Sequence, residues 1–212
     1  MRVLACLAAL GAAMTATLAC AQPASLRLDE LIASRIQGDR SNACLHVARI
    51  DLAATPAVVS ASGCAGPRTD APAIDARFEI GSISKAFVGV LAAEMVARGE
   101  LKLDEPLSAL LPASANAPRA GKQEIRVIDL LTHMSGLPPL PPTLGGGTPA
   151  NPYARLRADV VYDPLAGVKL AAAPGTRYAY SNWAFLMLSD LLSRRAVKPY
   201  DLLLTERVLA PL

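Results

Sequence analysis

The chain has 212 residues, 52% of them hydrophobic and 18% charged. That composition buries a core and excludes an intrinsically disordered protein. The formal net charge is only +3, and no basic cluster interleaved with aromatics occurs, so nucleic acid is not an expected partner.

The chain opens with Met1-Arg2, a nearly continuous apolar and small run over 3–18, and Ala19-Cys20-Ala21 before Gln22. This pattern predicts a secretory signal peptide over 1–21 and an exported, periplasmic or secreted protein. The apolar run is short and alanine-rich, so no stable membrane span is expected. Lipidation at Cys20 is the alternative, disfavoured by Thr17 three residues earlier. Removing the leader takes only Arg2 among charged residues and leaves a net charge of about +2.

Leu26, Leu28, Leu31, Ile32 and Ile36 form an apolar stripe that predicts a helix over 25–40. Two strand-like runs follow, 44–50 and 58–64, with turn residues at 53–56 between them. A turn centred on Ala54 sets Cys44 opposite Cys64 across the hairpin. In an exported protein this favours a Cys44–Cys64 disulfide over two free buried thiols. Residues 65–76 read as a connection, and 78–80 as a short strand-like entry.

The rest reads as helices. Phe87, Leu91 and Met95 lie on one line of a helix over 84–98 that Gly99 closes. Short helices are expected over 107–111 and 127–133, the second stopping at Ser135-Gly136-Leu137-Pro138. The Pro- and Gly-rich stretch 137–152 is a loop, long enough inside a compact domain to suggest a function. Helices over 159–172, 182–196 and 200–208 complete the chain.

A helix and a hairpin followed by a run of helices predict an α+β fold. A two-stranded sheet is marginal by itself, and the chain supplies no further strands. It is therefore expected to be the N-terminal part of a larger protein, with 22–212 a partial domain divided into 22–77 and 78–212.

Chemistry concentrates at F-E-I-G-S-I-S-K, residues 78–85. Of the five lysines, only Lys85 has a serine, Ser82, three residues before it. Side chains at i and i+3 share a helix face. A serine hydroxyl needs a base within hydrogen-bond reach, and a lysine amine can be one if its surroundings lower its pKa. The helix N-terminus offers backbone N–H groups to a developing oxyanion. Ser84 points away from this face and reads as a helix-start residue. Taken alone, the pattern is equally that of an N-capped helix with a solvated lysine.

Tyr180-Ser181-Asn182 is the second element and the only Y-x-N in the chain. A tyrosine can act as a general base where an ammonium stabilises its phenolate. Asn182 can donate to a substrate carbonyl and accept from Lys85. Taken alone, it reads as a buried tyrosine beside an asparagine cap.

Together the two motifs resemble those of the serine β-lactamase and penicillin-binding superfamily, nearest to class C β-lactamases and the related D,D-carboxypeptidases and esterases. The resemblance runs over about 26–212. F-E-I-G-S-I-S-K-A-F looks like the family's nucleophile segment, and R-G-E-L-K-L-D-E-P-L (98–107) like its continuation. I-D-L-L-T-H-M-S-G-L-P (128–138) and P-G-T-R-Y-A-Y-S-N (174–182) are similar to two further segments, and R-V-L-A-P-L (207–212) resembles one that runs on into the rest of such proteins.

The resemblance implies a β-lactamase/transpeptidase-like fold and acyl-enzyme chemistry on a β-lactam, a D-Ala-D-Ala type peptide or an ester. Ser82 would be the nucleophile, Lys85 and Tyr180 would share its proton, and Asn182 would orient substrate. No metal or organic cofactor is implied, and a monomer is expected. The family's third motif, Lys or His followed by Ser/Thr and Gly, is absent from the chain. The 212 residues alone are accordingly expected to be poorly folded or nearly inactive. A slowly turning-over penicillin-binding sensor and an inactive truncated product are further readings.

Two decoys remain. His133 near Ser135 suggests a triad, but its place before a Gly-Pro turn favours a structural role. Leu144-Gly145-Gly146-Gly147 is followed by no Lys-Ser/Thr and is not a phosphate-binding loop. The resemblance puts that loop near the rim of the active site; read by itself it is equally a plain surface loop.

Overall fold

The protein is described from a computed structural model covering residues 27–52, 57–73, 75–145, 147–148, 151, 153–154 and 156–212. The leader, Cys20 and the 53–56 turn lie outside the described residues. The chain falls into two compact units, one ending at Phe78 and the other beginning at Glu79.

The first unit holds α1 (Leu28–Ile36), β1 (Cys44–Asp51) and β2 (Ala57–Cys64). Asp29 and Glu30 in the first turn of α1 and Arg35 in the last complement the helix dipole. Ile32 is buried, and α1 packs on β2. The strands pair antiparallel with Cys44 opposite Cys64 and Asp51 opposite Ala57. The expected disulfide is present between Cys44 and Cys64, whose Cα atoms are 4.0 Å apart.

The expected strand over 78–80 does not form. Phe78 and Ile80 are about half exposed, and no described strand lies beside them to take up their backbone groups.

The second unit is mainly helical. A 3₁₀ turn (Gly81–Ile83) leads into α2 (Ser84–Ala97), followed by α3 (Leu107–Leu110), a small hairpin of β3 (Arg119–Ala120) and β4 (Gln123–Glu124), and α4 (Val127–Leu131). α5 (Ala158–Tyr162) runs into a 3₁₀ turn (Asp163–Gly167), then come α6 (Asn182–Ala196), α7 (Tyr200–Leu204) and a π-helical turn (Thr205–Leu209).

α2 buries Val88, Leu91, Ala92 and Met95, the i, i+3, i+4, i+7 stripe of a core-facing helix. α6 is the centre of the unit: α2, α4, α5 and α7 all pack on it. It buries Trp183, Phe185, Met187, Leu188, Leu191 and Leu192 among others. The Trp183 indole Nε1–H donates to the Val161 carbonyl at 2.8 Å, so the ring is buried without an unpaired donor.

The helix expected over 159–172 is broken. Pro164 lacks an amide donor and its ring clashes with a continuing α-helix, so α5 stops at Tyr162 and tightens into the 3₁₀ turn. The stretch that follows instead bonds to the turn after α4, Ala171 N–H donating to the Gly136 carbonyl at 2.9 Å. Gly136 has φ +76°, and a Cβ there would lie 2.4 Å from the Ala172 carbonyl oxygen, so only glycine fits. α4 also ends early, at Leu131, because His133 turns left-handed at φ 59°. No helix among the described residues is long and apolar enough to cross a membrane.

Candidate active site

Ser82 and Lys85 are presented by the 3₁₀ turn and the first turn of α2. Residues three apart eclipse one another in a 3₁₀ turn, which brings the side chains closer than an α-helix would. Lys85 Nζ donates to Ser82 Oγ at 3.0 Å. Gly81 enters the turn with φ +53°, the left-handed region that favours glycine. The Ser84 hydroxyl donates back to the Gly81 carbonyl at 2.6 Å and closes the turn, and Ser84 is the first residue of α2.

Tyr180 arrives from the extended segment before α6. Ser181 is the N-cap of α6, its Oγ accepting from the Ala184 amide at 3.1 Å and donating to the Pro138 carbonyl at 2.7 Å. This cap fixes where the helix starts and therefore where Tyr180 stands. The Tyr180 hydroxyl lies 2.6 Å from Ser82 Oγ. Lys85 Nζ sits over two rings, 5.0 Å from the centroid of Tyr180 and 5.7 Å from that of Phe185.

The electrostatics follow from these contacts. Hydrogen bonding from Lys85, and then from Ser82, holds the Tyr180 phenol below the ordinary tyrosine range. Both stabilise the phenolate. Because the Lys85 amine donates to Ser82 Oγ, the serine proton is free to point at Tyr180, the orientation a base requires.

Asn182, the first residue of α6, is partly buried. It lines a cavity of about 360 Å³ together with Ser82, Lys85, Phe185, Tyr153 and Tyr200. The expected acceptance from Lys85 is not made: the lysine bonds Ser82 instead.

His133 and Ser135 do not form a triad. Ser135 is fully buried and its Oγ accepts from the Leu137 amide. His133 Nδ1 accepts from the Ser181 amide at 3.1 Å. Burial, and then the charge of Lys85, lower the His133 pKa. Among the described residues no group of three or more His, Cys, Asp or Glu side chains could hold a metal ion.

Sequence reasoning missed Phe185, which underlies Lys85, and the aromatic walls Tyr153 and Tyr200. Phe185 had a signal, lying three residues after Asn182 on the same helix face. Tyr153 had none, because its position depends on the path of the loop before it.

The beta-lactamase family model matches residues 57–212. The chain is 33% identical over 141 residues to the D-alanyl-D-alanine-carboxypeptidase/endopeptidase AmpH of Escherichia coli K12, covering 66% of this chain and 36% of that protein. A crystal structure of a beta-lactamase/D-alanine carboxypeptidase from Yersinia pestis is 32% identical with a TM-score of 0.68, covering 79% of this chain and 47% of the other. A class C beta-lactamase from Rhodobacter sphaeroides is 27% identical with a TM-score of 0.61, covering 86% and 46%. The chain thus spans about a third of the length of the curated relatives it matches and about half of the solved structures. Its fold is part of the β-lactamase/transpeptidase-like fold. With three-quarters of its length in register with that family model, the chain belongs to the beta-lactamase family.

Proposed function

We propose that the protein is an exported serine hydrolase acting through an acyl-enzyme, with Ser82 as nucleophile and Lys85 and Tyr180 as its proton-transfer partners. The observation that carries this is the meeting of three groups at one oxygen: Tyr180 OH at 2.6 Å and Lys85 Nζ at 3.0 Å from Ser82 Oγ. An activated nucleophile requires that arrangement.

In this reading Ser82 Oγ attacks the carbonyl carbon of a β-lactam or of a D-Ala-D-Ala type amide. Its proton passes to the Tyr180 oxygen, whose phenolate Lys85 stabilises. The Ser82 backbone N–H, at the start of the turn into α2, faces the developing oxyanion. The C–N bond then breaks, and Tyr180 returns the proton to the leaving nitrogen. An ester on Ser82 remains. Water attacks that ester, gives its proton to Tyr180, and restores the serine. Asn182 on the cavity wall orients the substrate amide. No step calls for a metal or cofactor, and a monomer suffices.

A small-ester esterase is the second reading, favoured by the apolar and aromatic residues, Val88, Tyr153, Phe185 and Tyr200, that line the cavity. Turnover of nitrocefin and of p-nitrophenyl esters, together with burst labelling by a fluorescent penicillin, separates these readings. Rapid nitrocefin turnover means a lactamase. A stable one-to-one label means a peptidase or sensor, and ester turnover without label means an esterase. Undiminished turnover in Ser82→Ala would overturn all of them.

A further inference from the structure

Tyr180 is held from behind by one residue, His133, in three ways. The His133 carbonyl accepts from the Ala179 amide at 2.8 Å. Its Nδ1 accepts from the Ser181 amide at 3.1 Å. Its ring lies against the Tyr180 ring with centroids 4.5 Å apart. The residues before and after Tyr180 are therefore both bonded to His133, and the tyrosine ring rests on it. Tyr178 and Phe185 close the other sides of the imidazole, at 5.7 and 4.9 Å.

The left-handed backbone of His133, φ 59°, makes this grip possible. It ends α4 and turns both the carbonyl and the side chain toward 179–181. Histidine and asparagine tolerate this region better than most residues. A backbone amide can only donate, so Nδ1 must be the bare nitrogen and Nε2 carries the proton. Protonating Nδ1 would break the bond to Ser181 and add a positive charge near Lys85.

We propose that His133, neutral and protonated on Nε2, is a positioning residue that holds Tyr180 against Ser82, and that the reaction depends on it without its touching substrate. This rests on the acyl-enzyme reading for its kinetic consequences only; the grip on Tyr180 can be measured without substrate. The titratable groups facing the imidazole are Lys85 from α2 and Tyr178 and Tyr180 from the segment before α6. Among the described residues no carboxylate hydrogen-bonds the ring. The depressed His133 pKa agrees with a neutral ring at working pH.

His133→Gly and His133→Asn test the proposal. Glycine keeps the left-handed backbone without strain and removes the side chain. Asparagine tolerates the same backbone and offers an oxygen near the place of Nδ1. His133→Gly is expected to lower kcat about 100-fold, the scale of a 1 Å misplacement of a catalytic group, with KM within about twofold. His133→Asn is expected to recover most of that loss. The Tyr180 phenol, followed by its ultraviolet difference spectrum against Tyr180→Phe, should titrate higher in His133→Gly and close to wild type in His133→Asn.

With only two histidines in the chain, ¹⁵N spectra of His133 should show the Nε2-protonated form through neutral pH. A His133→Gly protein with wild-type kcat and an unshifted Tyr180 titration would overturn the proposal, as would an Nδ1-protonated ring. So would His133→Asn behaving no better than glycine at equal thermal stability. If Ser82→Ala stays active while Tyr180 still shifts in His133→Gly, the acyl-enzyme reading fails and the positioning role stands.

Discussion

Tyr180 places its hydroxyl 2.6 Å from the Ser82 hydroxyl although 98 residues separate them. Two local devices produce that meeting. The 3₁₀ turn at Gly81–Ile83 eclipses Ser82 with Lys85, and the Ser181 cap fixes the start of α6 two residues after Tyr180. The contact between α2 and α6 then sets the distance between them.

Removing the lysine tests the electrostatics of this meeting. Lys85→Ala should raise the Tyr180 pKa toward the ordinary 10.0 and lower kcat/KM by about 100- to 10,000-fold, the range of a lost proton-transfer partner. Tyr180 ionisation is read from the ultraviolet difference against Tyr180→Phe. An unchanged titration would show that Lys85 does not stabilise the phenolate.

The same shift has a signed effect on stability. The folded state favours the phenolate, so between the lowered folded pKa and the unfolded value the unfolded chain binds more protons. Stability from this group therefore rises with pH through that window and is lost as pH falls through the folded pKa. Wild type should gain stability relative to Tyr180→Phe on going from neutral to alkaline pH. Parallel pH–stability curves would contradict this.

Ser181 caps a buried helix start. Its side chain is fully buried and satisfies both the Ala184 amide and the Pro138 carbonyl. Ser181→Ala should destabilise by about 1–2 kcal/mol, the cost of a lost cap. Denaturant unfolding checks this, and a change within error would mean that another group takes over the cap.

The disulfide closes a loop with a sequence separation of 20. Replacing Cys44 and Cys64 together by serine should destabilise the unit that holds them by about 3 kcal/mol, on the chain-entropy estimate. Hydrogen exchange of the β1 and β2 amides reads the loss, and unchanged protection would refute it.

The Ser82–Lys85 half of the site was legible because its chemistry is local, whereas Tyr180, 98 residues from Ser82, was named through the resemblance of its motif. Ser82 and Lys85 are three residues apart, and the expected turn centred on Ala54 gave the register of β1 on β2 that sets Cys44 opposite Cys64. Long helices with a strong stripe, α2 and α6, fell within a residue or so of their expected bounds. What was not legible depends on tertiary pairing. Pro164 was a local stop signal that the expected helix over 159–172 ran through; what needed the fold was the hydrogen bond from the Ala171 amide to the Gly136 carbonyl. The strand over 78–80 failed for want of a neighbour. His133 read as a structural residue at a helix end because nothing local links it to 179–181; only the fold brings its carbonyl and imidazole to both sides of Tyr180.

In the proposed reaction Ser82 is the acylated residue. The most direct measurement is the mass of the protein, expressed from its own reading frame through the stop codon, after incubation with benzylpenicillin and peptide mapping. One adduct per chain is expected on Ser82, absent in Ser82→Ala and retained in Ser84→Ala. An adduct that survives Ser82→Ala, or that maps to another residue, would contradict it.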